Sequence, residues 1–163
     1  MKVIRKQKNS KKCFVCGIEN QFGLKAPFYE MENNTVVTFI EYQELHQSYP
    51  GRTHGGLISA LLDELAGRAI WVYEDVWGVT TNLNVKYRKA VPYGVKLKAV
   101  GEIVKNTKRA FVGVSKLYDM EGNLLAEAEA TYFKMPLDKI SSDDESLDDV
   151  NIFIPDDITE LEV

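Results

Sequence analysis

The chain has 163 residues, of which 45% are hydrophobic and 27% charged, and its formal net charge is −4. That is one domain long enough to bury a core. No apolar run reaches bilayer length and the basic start has no hydrophobic segment behind it, so no membrane partner and a cytoplasmic location are expected. The two cysteines exclude a disulfide framework and fit a reducing compartment.

Residues 1–12 carry Lys2, Arg5, Lys6, Lys8, Lys11 and Lys12 and read as a basic, flexible N-terminus. A dozen residues cannot form a nucleic-acid reading domain, and no nucleic-acid partner is expected. Cys13-Phe14-Val15-Cys16-Gly17 follows. A structural zinc needs four ligands and no second pair is present, while a redox motif of the thioredoxin kind would stand in a βαβ pattern that is absent. A compact turn bent at Gly17 and Gly23 is the reading that remains, and no metal is expected.

Residues 27–31 and 35–42 are strand-like and flank Glu32-Asn33-Asn34, which makes a hairpin. Ile58, Leu61, Leu62, Leu65, Ala69 and Val72 then recur at three- and four-residue intervals, which predicts one long helix. Its opposite side is hardly polar, so protein should wrap it nearly all round. Four further strands are expected at 78–87, 95–104, 110–118 and 124–133, broken at Pro92-Tyr93-Gly94, Asn106-Thr107-Lys108 and Glu121-Gly122-Asn123. Short turns between successive strands imply an antiparallel sheet. The expected class is therefore α+β, with five to six antiparallel strands curled around a central helix within residues 13–137. Residues 138–163 form an acidic tail that includes Asp143, Asp144, Glu145, Asp148, Asp149, Asp156 and Asp157. Inside it the apolar stretch 150–155 is a candidate for docking as a short strand.

His54-Gly55-Gly56 stands at the mouth of the helix, and Asp63-Glu64 lies two turns inside. Unsatisfied N–H groups at a helix start, aided by the helix dipole, attract negative charge. Leu61, Leu62, Leu65 and Ala66 flank the acidic pair, and a carboxylate in such surroundings tends to be shifted and functional.

Taken together, Cys13-Phe14-Val15-Cys16-Gly17, Asn20, Gly23-Leu24, His46, Tyr49-Pro50-Gly51, His54-Gly55-Gly56 and Asp63 resemble hotdog-fold acyl-CoA thioesterases of the PaaI-like type. The resemblance spans about residues 12–136 and implies a hotdog fold. It implies that the Gly55 N–H polarises a thioester carbonyl and that Asp63 is nucleophile or general base. Glu64 is a second candidate, because other members use a nearby glutamate. It further implies a water-orienting hydroxyl at Thr80, which is equally an ordinary strand threonine. Alternation on that strand puts Thr80 and Asn82 on one face and Leu83, Val85 and Tyr87 on the other. His54 orients the loop or approaches the thioester. Gly56, Ser48, Asn82, Arg88 and Lys89 are candidate substrate contacts, with Ser48 standing where relatives have asparagine and Arg88 and Lys89 where they meet coenzyme A phosphates.

Gly55 and Asp63 are eight residues apart, so at roughly 1.5 Å per residue they lie about 12 Å apart along one helix. An attacking group must sit about 3 Å from the carbon whose oxygen the amide holds. The second group should therefore come from another subunit. Hotdog thioesterases are dimers of this kind, so a homodimer, or a dimer of dimers, is expected. The expected activity is hydrolysis of an acyl-CoA to a free acid and coenzyme A, with no cofactor beyond the substrate. The alternative is a non-catalytic acyl-CoA-binding hotdog module.

Overall fold

The computed structural model describes residues 1–141 and 148–163, so Asp143, Asp144 and Glu145 lie outside the described residues. Its strands are β1 (Val3–Lys6), β2 (Tyr29–Met31), β3 (Val36–Glu41), β4 (Trp77–Tyr87), β5 (Lys96–Asn106), β6 (Ala110–Asp119) and β7 (Leu124–Met135). The long helix α1 (Gly55–Arg68) continues as a 3-10 turn through Val72, and a single-turn helix α2 (Leu137–Ile140) follows the last strand. The strands form one sheet in the order β1, β2, β3, β5, β6, β7, β4, and all neighbours pair antiparallel.

Seven strands replace the expected five to six, and the addition is β1, which falls within the stretch read as a flexible tail. Val3 pairs with Met31 and Lys6 with Tyr29. The two charged ends hold each other. Lys6 Nζ lies 2.7 Å from Asp156, the Tyr29 hydroxyl donates to the same carboxylate at 2.7 Å, and Lys11 lies 3.7 Å from Asp149. Backbone bridges Asn9 to Ile152 and Lys2 to Glu160 continue the contact, so the apolar stretch within the tail meets the domain at the single bridge of Ile152 and not as the expected strand. Among the described residues, no helix is long and apolar enough to cross a membrane.

Helix α1 buries Ile58, Leu61, Leu62, Leu65 and Ala66. Each large side chain contributes about 1.5–3 kcal/mol by leaving water. The sheet meets the helix through small residues, with Ala99 on β5 and Ala126, Ala128 and Ala130 on β7 all buried. Contact is closest at Gly113 on β6, where an added Cβ would stand 2.4 Å from the Ala66 carbonyl oxygen. Ser115, also on β6, donates to the Leu62 carbonyl at 2.7 Å, which satisfies a polar group at the helix–sheet interface. These contacts fix the depth and rotation of α1, and with them the direction in which its polar positions point.

Candidate active site

His54 is the N-cap of α1, with extended backbone angles, and its Nδ1 accepts a hydrogen bond from the Gly56 N–H at 2.9 Å. A side-chain acceptor at this position satisfies one of the four orphan donors of a helix start. The two glycine amides are thereby distinguished. Gly56 is capped, whereas the Gly55 N–H has no hydrogen-bond partner among the described residues. The carbonyl of Gly55 is held instead from the sheet. Tyr87 at the end of β4 donates to it at 2.9 Å, and Ser59 Oγ reaches it at 3.0 Å. The Tyr87 and Ser59 hydroxyls lie 2.6 Å apart. Tyr87 also packs against the open side of Gly55, where a Cβ would come within 3.3 Å of the ring.

Asp63 projects from α1 toward β4 and β7. The Thr80 hydroxyl lies 3.0 Å from its Oδ1 and 3.1 Å from its Oδ2. Tyr132 on β7 donates to the same carboxylate at 3.0 Å and reaches the Asp63 backbone carbonyl at 2.6 Å. Stacking on Phe111, with centroids 4.7 Å apart, holds the Tyr132 ring in place. Burial pushes the Asp63 carboxyl above its ordinary range, with the nearby Glu64 charge adding to the rise, while the Tyr132 and Thr80 hydrogen bonds oppose it.

The face assigned to Thr80 by alternation differs in the structure. Pairing with β7 runs Thr80 to Tyr132 and then Asn82 to Thr131, which leaves Thr81 as the extra residue of a bulge. Thr80 consequently shares the helix side with Leu83 and Val85, which pack on the core, and with Tyr87. Asn82 is no longer in phase with Thr80. It stands exposed on β4 one residue past the bulge.

Glu64 points away from Asp63 into an ion pair with Arg68, at 2.8 Å, and its other oxygen lies 3.7 Å from Cys13 Sγ. Ser48 sits in the exposed turn before the helix, where its N–H donates to the Arg52 carbonyl. Arg88 is paired with Glu127, and Lys89 Nζ lies 3.3 Å from Asn123 Oδ1, so both occupy the β4–β7 surface. His46 is buried, with Nδ1 accepting from the Gln43 N–H at 2.9 Å and Nε2 2.9 Å from the Phe22 carbonyl. These contacts tie it to backbone. The structure thus gathers Asp63 and Thr80 in one place and His54, Gly55 and Gly56 in another.

Tyr132 and Tyr87 escaped the sequence reading. Alternation along β7 turns Ala126, Ala128, Ala130 and Tyr132 inward, so a lone hydroxyl in that buried row was the available signal. Asp63, Glu64, Thr80, Tyr132, Trp71, Trp77 and Cys13 line a cavity of about 200 Å3.

This architecture is the hotdog fold of thioesterase superfamily proteins. Residues 50–126 match the sequence profile of the Thioesterase superfamily. A crystal structure of a thioesterase superfamily protein aligns over 75% of this chain and 63% of its own, with TM-score 0.70 and 22% identity. A hypothetical thioesterase from Streptococcus pneumoniae, solved with coenzyme A, is 25% identical with TM-score 0.61, covering 66% of this chain and 84% of its own. The mouse acyl-coenzyme A thioesterase THEM4 is 30% identical over 129 residues, covering 77% of this chain and 55% of THEM4. The chain spans about half the length of the curated THEM4 relatives it matches.

Proposed function

We propose that the chain is a thioesterase superfamily member that hydrolyses an acyl-CoA thioester, with the Gly55 N–H of one copy and Asp63 of a second copy meeting at the reacting carbonyl. The observation that carries this reading is the pairing of an unpartnered helix-start amide with a carboxylate that two hydroxyls aim. Similarity to acyl-coenzyme A thioesterases and to a coenzyme A-bound neighbour supports the substrate class.

In this mechanism the Gly55 N–H donates to the thioester oxygen and stabilises the charge that develops on it. Asp63 attacks the carbonyl carbon or takes a proton from the attacking water, and Thr80 and Tyr132 hold its carboxylate in position. The coenzyme A thiolate leaves without needing a strong acid. Two copies are required because the groups stand eight residues apart on α1, about 12 Å along its axis. Strand β4 offers the joining edge, since it is the last strand of the sheet, runs for 11 residues and leaves Val79 and Tyr87 exposed.

Release of free thiol from an acyl-CoA panel tests the proposal. The wild-type chain is expected to cleave at least one thioester, and Asp63→Asn to abolish cleavage with its circular dichroism unchanged. Full activity in that variant refutes the assignment. Absence of cleavage with a rise in melting temperature on adding acyl-CoA selects the non-catalytic binding module instead.

A further inference from the structure

Beside the Asp63 cavity lies a second cluster that the proposed hydrolysis does not use. The Cys13 and Cys16 sulfurs and a Glu64 carboxylate oxygen lie within 4.8 Å of one another. A tight turn brings the thiols together. The Gly17 N–H donates to the Cys13 carbonyl at 2.8 Å, and a Cβ at Gly17 would stand 2.2 Å from that oxygen. The two cysteines differ in access, because Cys13 is half-buried and lines the cavity whereas Cys16 is fully buried. They differ in partners as well. Cys13 Sγ accepts from the Val15 N–H at 3.3 Å, and Cys16 Sγ accepts from Arg68 Nη2 at 3.0 Å.

We propose that Cys13 and Cys16 are a redox-active dithiol, with Cys13 attacking a low-molecular-weight disulfide and Cys16 resolving the product into an intramolecular disulfide. The pair lies in a tight turn and not in the βαβ setting of a thioredoxin, so the proposal departs from the turn-only reading of the sequence on three local features. The neighbouring Cys16 thiol lowers the Cys13 thiol to about 7, against the opposing effects of burial and of Glu64, whose carboxylate oxygen lies 3.7 Å from Cys13 Sγ. The same pairing of thiols, with burial and Glu64, pushes Cys16 up, and that first cause vanishes once the Cys13 sulfur is capped. Arg68 then remains as the positive group that favours the Cys16 thiolate. Arg68 donates to Cys16 Sγ and to the Glu64 oxygen that does not face Cys13.

The steps balance. The Cys13 thiolate attacks one sulfur of the disulfide RSSR, forming Cys13–S–S–R and expelling RS⁻. Cys16 passes its proton to that thiolate and attacks Cys13 Sγ, expelling the second RS⁻, which takes up the proton Cys13 had released. Two protein thiols are oxidised and one RSSR becomes two RSH. Side-chain rotation must bring the sulfurs to about 2.05 Å. Cys16 thereby leaves Arg68 and Cys13 leaves Glu64, so the wall of the Asp63 cavity is rebuilt.

The test is alkylation and intact-mass analysis of the full chain across glutathione buffers of rising oxidation. Wild type is expected to end as a single uncrosslinked chain two hydrogens lighter with no alkyl groups, and to return on reduction. Cys16→Ser should trap one glutathione on Cys13, while Cys13→Ser should take up none. In the reduced chain Cys13 should alkylate about tenfold faster than Cys16 at neutral pH. Two alkyl groups on wild type in the most oxidising buffer would overturn the proposal. Chains linked to one another by disulfides, or stoichiometric zinc masking both thiols in the purified chain, would overturn it equally. None of these readings depends on acyl-CoA cleavage, so the outcome separates from that of the proposed reaction.

Discussion

The Thr80 hydroxyl on β4 donates to the carboxylate of Asp63 on α1, standing 3.0 Å from one oxygen and 3.1 Å from the other. Tyr132 adds a second donor from the opposite strand neighbour. Both bonds favour the ionised form, whereas burial disfavours it and wins.

The pH dependence follows from that balance. The proposed hydrolysis uses ionised Asp63, so the acid limb of kcat/KM should lie above the ordinary aspartate value of about 3.9. Thr80→Val and Tyr132→Phe each remove a donor that lowers the pKa, and each should move the limb to higher pH. Stability changes in the opposite sense. A raised folded pKa contributes stability at low pH that is lost as pH rises through it. Asp63→Asn should therefore melt higher than wild type at neutral pH while being inactive, and scanning calorimetry over a pH series checks this.

Tyr87 holds the Gly55 carbonyl but touches no reacting atom in the proposed mechanism. Tyr87→Phe should lower kcat by about ten- to a hundredfold, because small misplacements of a polarising amide are costly, and should leave KM nearly unchanged. Steady-state kinetics on the best thioester of the panel separates the two parameters.

His54 acts as a cap in this structure. His54→Ala should cost about 1 kcal/mol of stability, whereas His54→Asn keeps an acceptor for the Gly56 N–H and should restore most of it. Activity is expected to follow the same order. An inactive but fully stable Asn variant would assign the imidazole an acid–base role instead.

Gly113 permits the closest approach between sheet and helix, backbone to backbone. Gly113→Ala should destabilise by about 1–3 kcal/mol or more, since neither carbonyl nor strand can give way as a flexible side chain would. Urea unfolding measures it. A substitution at Gly51, which has open space around it, serves as the contrast, its cost arising from a φ of +79° rather than from a clash.

Much of the fold was legible because it rests on local pattern. The hairpin at Glu32-Asn33-Asn34 appears with Asn34 in the left-handed region at φ 64°, and the helix starts at the glycine pair. The six strands read from alternation fall within a few residues of β2 to β7. Strand β1 was missed because Val3–Lys6 is four residues, half of them basic, and nothing local marks it as paired. What makes it a strand is distant, namely the edge of β2 and a tail about 150 residues away that carries the opposite charge.

The candidate site divides along the same line. Chain order alone determined that Gly55 opens a helix, that Asp63 lies two turns inside it, and that one helix cannot bring both to one carbonyl. Only the tertiary structure decided which amide is open, since that depends on where the His54 ring turns. Only it set Thr80 on the helix side, because one extra residue in a bulge reverses the alternation. Only it brought Tyr132 to Asp63 across 69 residues and Cys16 to Arg68 across 52. Periodicity shows which face of an element is apolar, whereas the partner that meets a polar group on that face is chosen by packing between elements distant in sequence.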